Sequence, residues 1–196
     1  MQTKSRVIVA LLLTSLGVLS SRIAWPWIRA LYVWRGSTIE SLESSPSRIS
    51  NDRIPRILHQ TYRDQSSIPF QWQQASNSCR TLHPNYEYKF WSDVDGRRLI
   101  ENQLPYLLPT FDSYPYDIQR ADVIRLVVLY IYGGIYLDFD IICLKSLDYL
   151  LNYDLILPRT FPVGLSNDMI MSKAQHPFLL KVLDDLPDAN QNYLTK

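Results

Sequence analysis

The chain has 196 residues, of which 46% are hydrophobic and 20% are charged. This length suits a single domain, and the composition is that of a folded protein, which excludes a largely disordered chain. A formal net charge of +1 does not favour a nucleic-acid-binding protein with a broad basic surface. Three histidines and two cysteines without close spacing argue against a structural zinc site.

The N-terminal part has the composition of a targeting segment. Residues 1–6 contain Lys4 and Arg6, and an apolar segment follows over residues 7–34. Its uncharged part, residues 7–21, would span about 22 Å as a helix, less than the roughly 30 Å hydrocarbon core. A cleaved signal peptide and a signal anchor both fit this pattern. Tryptophan and tyrosine side chains near the end of the segment favour the anchor, because they prefer membrane interfaces. Residues 1–6 would then be a cytosolic tail.

A Ser-rich stretch over residues 35–52 predicts a flexible stem, and a folded domain is expected over residues 53–196. Short apolar or alternating runs predict strands within 54–61, 86–91, 135–137 and 154–157. Helical spacing predicts helices over 68–82, 97–108, 117–132 and 174–186, with Ser92 or Asp93 as a cap and breaks at Pro105 and Pro109. Alternating strands and helices indicate an α/β fold, a doubly wound, mostly parallel sheet flanked by helices.

The most informative segment is residues 117–140. Residues 117–132 contain no Gly or Pro and become almost wholly apolar, which predicts a buried helix. Gly133 and Gly134 then provide a left-handed helix end. A short strand follows and leads into Asp138 and Asp140, which are predicted to lie two apart on an extended segment, so that their side chains point to the same side.

An acidic pair at the carboxyl end of a buried strand lies where α/β sheets bind ligands. Two carboxylates side by side need a compensating cation or partner. A hard divalent cation meets this need and leaves coordination positions for diphosphate oxygens, whose growing charge it would neutralise. A bare Asp-x-Asp is usually only a strand end in a solvated turn, but the buried helix and Gly pair before Asp138 favour a functional site.

A second enzyme class uses the same motif. In haloacid-dehalogenase-like phosphohydrolases the first Asp is a nucleophile, which would be Asp138 here. Ile142 occupies the position where that class carries Thr or Val, and the motif lies far from the start of the domain. Both observations argue against the phosphohydrolase.

Polar residues elsewhere are candidates for the same site. Asp122 and Arg125 lie at i and i+3, so they share one stripe of the predicted helix. A surface ion pair is the simplest interpretation, but the apolar helix favours a pair that lines a cleft and binds phosphate or sugar hydroxyls. His59, Gln60 and Thr61 end the first strand, although a satisfied core histidine is the preferred interpretation of His59 taken alone.

Two further features allow alternative interpretations. Asn167 and Asp168 lie in a loop after Gly164, and turn chemistry alone would explain them. Cys79 and Cys143 would pair in an oxidising compartment, but their spacing does not decide between a disulfide and two free buried thiols.

Four stretches occur in an order that resembles glycosyltransferase family 32, the DXD-containing sugar transferases. They are IPRILHQTY, PNYEY with the nearby Trp91, IQRADVIRLVVLYIYGGIYLDFDI and GLSNDMIMSKAQHPF. The resemblance covers about residues 53–180. The family includes fungal Golgi initiating α-1,6-mannosyltransferases and inositol phosphorylceramide mannosyltransferases. The segments IQRAD and SNDMIMS are most similar to the second group, the sphingolipid branch.

The resemblance implies a GT-A fold, a Mn²⁺ (or Mg²⁺) ion, a nucleotide-sugar donor and retention of anomeric configuration. The sphingolipid branch implies GDP-mannose as the donor. By matching position, Asp138 and Asp140 would bind the metal and the diphosphate. Donor contacts are implied for His59, Gln60, Thr61, Asp122, Arg125, Asn167 and Asp168.

The resemblance also implies a single-pass type II protein of the Golgi membrane with a lumenal catalytic domain, secretion after signal cleavage being the alternative. The acceptor would be inositol phosphorylceramide or, alternatively, a protein glycan, and the partner a regulatory membrane subunit. Family members usually continue well beyond residue 196, so part of the acceptor side is expected to lie outside residues 53–196. A truncated, non-catalytic transferase partner is the remaining alternative.

Overall fold

The computed structural model describes residues 53–160 and 164–193, and side chains up to residue 189. The predicted tail, membrane segment and stem lie outside the described residues. Within the described part no helix is long and apolar enough to cross a membrane. Contacts divide the chain into two units. Of one unit only Arg159, Thr160 and Gly164 are described, where the Thr160 N–H donates to the Gly164 carbonyl at 3.2 Å. The helices and strands below belong to the other unit.

The described residues form five strands and five α-helices, joined by loops and short 3₁₀ turns. In chain order they are β1 (Ile57–Thr61), α1 (Phe70–Leu82), β2 (Glu87–Trp91), α2 (Asp93–Gln103), α3 (Leu108–Ser113), α4 (Asp117–Tyr132), β3 (Gly134–Leu137), β4 (Leu155–Ile156), β5 (Met169–Ser172) and α5 (Pro177–Tyr193). The α/β class predicted from the alternation is confirmed.

The sheet is mixed, with the order β2-β1-β3-β5-β4. β1 pairs in parallel with β2 and β3, whereas β5 pairs antiparallel with β3 and β4. The prediction of a mostly parallel sheet is therefore wrong for this half of the sheet. The apolar run of β5, Met169–Met171, is too short to be distinguished from a loop by its pattern, and its direction depends on long-range pairing with β3.

Helix boundaries follow local signals. The Ser92 hydroxyl accepts from the Asp95 N–H at 3.1 Å and caps α2, which therefore begins earlier than the predicted helix over 97–108. The expected breaks occur, since Pro105 opens a 3₁₀ turn and Pro109 lies in the first turn of α3. α5 begins at Pro177 rather than at residue 174, because proline suits the first position of a helix.

The main core lies between the sheet and α2, α4 and α5. α4 is its centre, with Ile124, Val127 and Val128 fully buried. The opposite face of β1 contacts α1, where the Ser76 hydroxyl donates to Gln60 Oε1. Since successive side chains of a strand point to opposite faces, His59 and Gln60 lie on different sides of the sheet.

A disulfide joins Cys79 of α1 to Cys143, with an S–S distance of 2.02 Å. The spacing of the two cysteines left open whether they form a disulfide or remain free thiols, and the structure shows the disulfide. Cys143 lies only a few residues after the Asp138–Asp140 segment, so α1 is covalently attached close to the candidate site.

Two glycines connect α4 to β3 in left-handed conformations, as predicted. Gly133 has a φ of 65° and donates its N–H to the Leu129 carbonyl at 2.9 Å, which ends α4. Gly134 has a φ of 104°, and a Cβ atom at this residue would lie 2.6 Å from the Ile57 carbonyl oxygen of the neighbouring strand. The close approach of β1 and β3 therefore requires glycine at residue 134.

We expect Gly134→Ala to lower the free energy of unfolding by about 1–3 kcal/mol, because it combines a strained φ with a backbone collision. Urea unfolding of the full chain, followed by circular dichroism, measures this change. An unchanged unfolding midpoint would contradict the requirement for glycine.

Candidate active site

A cavity of about 310 Å³ opens where β1 and β3 end. Parallel strands of α/β sheets commonly bind ligands at this edge. The cavity lining comprises Thr61, Tyr62, Arg63, Trp72, Asp93, Asp117, Ile118, Ala121, Arg125, Tyr136, Asp138, Phe139 and Asp140. Four residues predicted from the sequence lie on this lining: Thr61, Arg125, Asp138 and Asp140.

Asp138 follows β3 directly and is held by contacts from three segments. Its N–H donates to the Asp168 carbonyl at 2.8 Å. Its Oδ1 accepts from the Tyr136 hydroxyl at 2.7 Å, and its Oδ2 from Arg125 Nη1 at 3.4 Å. The pKa of Asp138 is raised, and burial of the carboxyl group is the largest cause. The carboxylates of Asp140 and Asp168 raise this pKa further, whereas the Arg125 charge and the Tyr136 hydrogen bond lower it. A bound cation would stabilise the ionised carboxylate of Asp138, which burial disfavours.

Asp140 lies in a turn rather than on an extended segment. The Ile141 N–H donates to the Asp138 carbonyl at 3.2 Å, and pairing of β3 with β5 ends at Leu137 and Met169. The predicted extended conformation is therefore wrong, because no partner strand continues alongside residues 138–140. Both carboxylates still line the same cavity, and the Asp140 carboxylate has no hydrogen bond or ion pair to the residues that the structure describes.

Arg125 connects α4, β3 and the loop before β5. Its side chain is 4% exposed, so the simple surface-pair interpretation is wrong. Its guanidinium contacts Asp122 Oδ1 at 2.9 Å and donates to the Asn167 carbonyl at 2.6 Å. It also lies over the Tyr136 ring, 5.0 Å from the centroid. Its Nε is buried without a hydrogen-bond partner among the described residues.

The loop before β5 contacts two cavity-lining residues, Arg125 and Asp138, through its backbone carbonyls. Asn167 Nδ2 donates to Asp122 Oδ1 at 3.0 Å, and the Asp168 carboxylate accepts from the Ser166 hydroxyl. The structure thus brings Asp122, Asn167 and Asp168 together with Arg125 and Asp138. None of these three side chains is on the cavity lining, so their predicted donor contacts stay predictions.

Of the predicted His-Gln-Thr segment, only Thr61 reaches the cavity, and its hydroxyl donates to the Trp91 carbonyl at 2.9 Å. His59 is fully buried on the α4 side of the sheet. Its Nδ1 accepts from the Trp91 indole N–H at 3.0 Å, which leaves Nε2 protonated and donating to the Gly133 carbonyl at 2.9 Å. His59 thereby secures the end of α4.

Gln60 is buried on the other face. Its Oε1 also accepts from the Tyr88 hydroxyl at 3.2 Å, and its Nε2 lies 3.5 Å from the Asp138 carbonyl oxygen. Gln60 therefore links α1 to the backbone at the acidic pair. The donor contacts that the resemblance implied for His59 and Gln60 stay predictions, and the structure gives both residues a framework role.

Burial lowers the pKa of His59 to about 4, from an ordinary value of 6.5. Between these pH values the unfolded chain binds a proton that the folded chain does not. We therefore expect the free energy of unfolding to fall by about 3 kcal/mol from this residue as the pH drops from 6.5 to 4. Urea unfolding at several pH values should show a shallower pH dependence in His59→Gln. An equally shallow dependence in the control His176→Gln would contradict the assignment to His59.

Aromatic residues of the cavity were not among the predicted site residues. Tyr62 packs edge-on against Trp72 and Phe139, with ring centroids 5.6 and 6.0 Å apart. Tyr136 was also missed. Burial raises the pKa of Tyr136 well above its ordinary value, so its hydroxyl stays protonated and donates to Asp138. Their sequence signal was position alone: Tyr62 follows Thr61, and Phe139 separates the two aspartates.

The two carboxylates fit a divalent cation whose remaining coordination positions are filled by the substrate and water. Among the described residues there is no group of three or more His, Cys, Asp or Glu side chains that would hold a metal. A cation at Asp138 and Asp140 would therefore take its other ligands from water and phosphate oxygens, an arrangement typical of Mg²⁺ held by one or two carboxylates. The oxygen-only donor set suits Mg²⁺ or Mn²⁺.

Residues 69–157 match a family model described as the glycosyltransferase sugar-binding region containing the DXD motif. This segment carries most of the cavity, including both aspartates, Arg125 and Tyr136. The match favours sugar transfer over the phosphohydrolase alternative. Among solved structures, the PaToxG glycosyltransferase has a TM-score of 0.55 at 19% identity, covering 90% of this chain and 72% of that chain. At this identity the likeness supports the GT-A-like fold alone.

The chain is 48% identical over 140 residues to inositol phosphoceramide mannosyltransferase 3 of Schizosaccharomyces pombe, covering 71% of this chain and 39% of the relative. It is 44% identical over 140 residues to the mannosyl phosphorylinositol ceramide synthase CSH1 of Saccharomyces cerevisiae, covering 71% and 37%. An initiation-specific alpha-1,6-mannosyltransferase of Candida albicans is 28% identical over 119 residues, covering 57% and 31%. The chain thus matches about two fifths or less of the length of these relatives. The resemblance drawn from the motifs is confirmed, because residues 69–157 match the sugar-binding region of the DXD-containing glycosyltransferases.

Proposed function

We propose that the chain is the donor-binding part of a metal-dependent, retaining glycosyltransferase. In this proposal it transfers mannose from GDP-mannose to inositol phosphorylceramide in sphingolipid biosynthesis. The observation that carries the proposal is the pair of carboxylates, Asp138 and Asp140, on one cavity at the end of β3. The choice of sugar and acceptor is supported by the names of the relatives that are 44–48% identical.

Asp138 and Asp140 would hold the Mn²⁺ or Mg²⁺ ion and, through it, the donor diphosphate. When bound, the cation supplies Lewis-acid neutralisation of the charge that grows on the departing diphosphate. Arg125 favours the ionised form of Asp138, and the Tyr136 hydroxyl fixes one of its oxygens. The rings of Tyr62, Trp72 and Phe139 give the cavity an apolar wall that excludes water.

Retention is proposed to proceed by attack on the same face of the sugar. The acceptor hydroxyl oxygen bonds to the anomeric carbon as the bond from that carbon to the diphosphate breaks. The acceptor proton passes to the departing diphosphate. The chain's own residues then need only to hold the donor and orient the diphosphate, which the arrangement around Arg125 supports.

We further propose that the protein is anchored in the Golgi membrane by residues 7–34, with its catalytic domain in the lumen, and that it works with a regulatory membrane subunit. The Cys79–Cys143 disulfide supports an oxidising compartment for this domain. The anchor itself rests on the pattern of the sequence.

A labelled-donor assay on membranes that contain the full chain tests this function. GDP- and UDP-sugars are each supplied with Mn²⁺ and with inositol phosphorylceramide or an N-glycan acceptor. We expect transfer from GDP-mannose to the lipid, and loss of transfer when the cation is chelated. Transfer to the N-glycan alone would move the function to the Golgi protein-glycan class, which the similarity to initiation-specific enzymes supports. Donor binding without transfer would favour the truncated, non-catalytic partner.

A further inference from the structure

The two aspartates of the motif are held in place very differently. Asp138 is fixed by its backbone, which contacts the Asp168 carbonyl, and by its side chain, which contacts Tyr136 and Arg125. The Asp140 carboxylate has no such contact with the described part of the chain. The place of Asp140 in the cavity therefore depends on the buried Phe139 before it and on the backbone that follows it.

The C-terminal end of α1 and the residue that follows it hold that backbone in place. Cys143 is bonded to Cys79, and its N–H donates to the Ser78 hydroxyl at 3.0 Å. Slightly further along, the Leu147 N–H donates to His83 Nε2 at 2.9 Å. His83 Nδ1 must then carry the proton, and it donates to the Cys79 carbonyl at 2.6 Å. We call Ser78, Cys79 and His83 the α1 clamp.

Two apolar side chains of this segment contribute little packing. Ile142 is 64% exposed and Leu144 is 89% exposed, so neither buries its apolar surface. The clamp residues Cys79 and His83, by contrast, are buried at 1% and 3% exposure. Covalent and hydrogen-bonded attachment to α1 thus adds to the packing of the half-buried Ile141 and Leu147 in holding this segment.

The clamp and Asp138 are attached to the same framework residue. Gln60 accepts from Ser76, one turn before Cys79 in α1, and its amide nitrogen lies 3.5 Å from the Asp138 carbonyl. A path of direct contacts therefore runs from the backbone of the first aspartate through Gln60 and α1 to Cys143. This path supports the turn that carries the two carboxylates, in addition to the local hydrogen bond from the Ile141 N–H to the Asp138 carbonyl.

We propose that the α1 clamp, through the Cys79–Cys143 disulfide, is a positioning element that places Asp140 for cation and donor binding. The inference rests on the proposed function, since it assigns the clamp to the same cation site. Opening the disulfide frees Asp140 to sample positions in which it no longer shares a cation with Asp138, while Asp138 keeps its own contacts.

The test measures Mn²⁺ affinity of the full chain by electron paramagnetic resonance, without donor or acceptor. Four samples are compared: the oxidised protein, the protein reduced with a phosphine, Cys143→Ser and Ser78→Ala. We expect a loss of affinity of about tenfold on reduction or in Cys143→Ser. A two- to threefold loss is expected in Ser78→Ala, which keeps the disulfide. Hydrogen exchange should become faster over residues 139–147 but not in α4.

The outcomes separate the two proposals. If the oxidised protein binds no Mn²⁺, the proposed function fails and the clamp has no cation site to position. If the oxidised protein binds Mn²⁺ and the reduced protein binds it equally well, the positioning role is overturned and the proposed function stands. Loss of helical circular dichroism on reduction would show that the disulfide holds the whole domain together, which also overturns a local role.

Discussion

Replacing Arg125 by Ala is expected to lower the free energy of unfolding by about 2–4 kcal/mol, because it removes a buried side chain and the charged hydrogen bonds that it makes to partly exposed carboxylates. The Arg125 side chain is 4% exposed and contacts both Asp122 and Asp138. The Asn167 carbonyl also loses its charged donor. Urea unfolding of the variant and the wild type measures the difference.

Arg120→Ala is the matched control for Arg125→Ala, because both residues lie in α4. Arg120 pairs with the exposed Asp117 and donates to the Tyr114 carbonyl, so we expect a loss of only about 1 kcal/mol. Arg125→Lys should recover only part of the stability, because an ammonium group does not reproduce the guanidinium fork. Equal effects of Arg125→Ala and Arg120→Ala would contradict the connecting role of Arg125.

Asp138→Ala is expected to weaken both Mn²⁺ and GDP-mannose binding at least about 100-fold, or about 2.7 kcal/mol. The variant removes one of the two proposed cation ligands and leaves Arg125 with Asp122 and the Asn167 carbonyl as partners. Calorimetric titration of GDP-mannose with and without Mn²⁺ measures the change.

Asp112→Asn is the control for Asp138→Ala. Asp112 is an exposed carboxylate that pairs with Arg97 away from the cavity lining. Donor and metal affinity should stay at the wild-type value in this variant. Donor binding by the wild type that does not need the metal would contradict the role of the acidic pair.

The parts of the fold that local signals determine were predictable. The buried α4, its end at Gly133 and the start of β3 follow from composition and from the need for positive φ angles. β5 was not predictable in this way. Its antiparallel pairing with β3 joins residues far apart in the sequence. A short apolar run does not indicate which strand it pairs with or whether the pairing is parallel or antiparallel.

The same distinction applies to the site. Arg125 and Asp138 were predicted because their charges interrupt strongly apolar segments. Their direct contact at 3.4 Å, and the burial of Arg125, arise only when α4 packs against the sheet. His59 is the opposite case. It shares a face of β1 with Thr61, but it lies two residues before the strand end, is fully buried in the core and does not reach the cavity.

The Cys79–Cys143 bond has a topological consequence, because it closes residues 79–143 into a covalent ring whose two exits have Cα atoms 4.8 Å apart. The ring contains β2, α2, α3, α4 and β3, and both aspartates of the motif. A single peptide-bond cut anywhere inside it leaves the flanking N- and C-terminal segments joined through sulfur. The chain therefore carries its acidic motif on a closed loop, and one proteolytic cut within that loop does not detach the motif from either flanking segment.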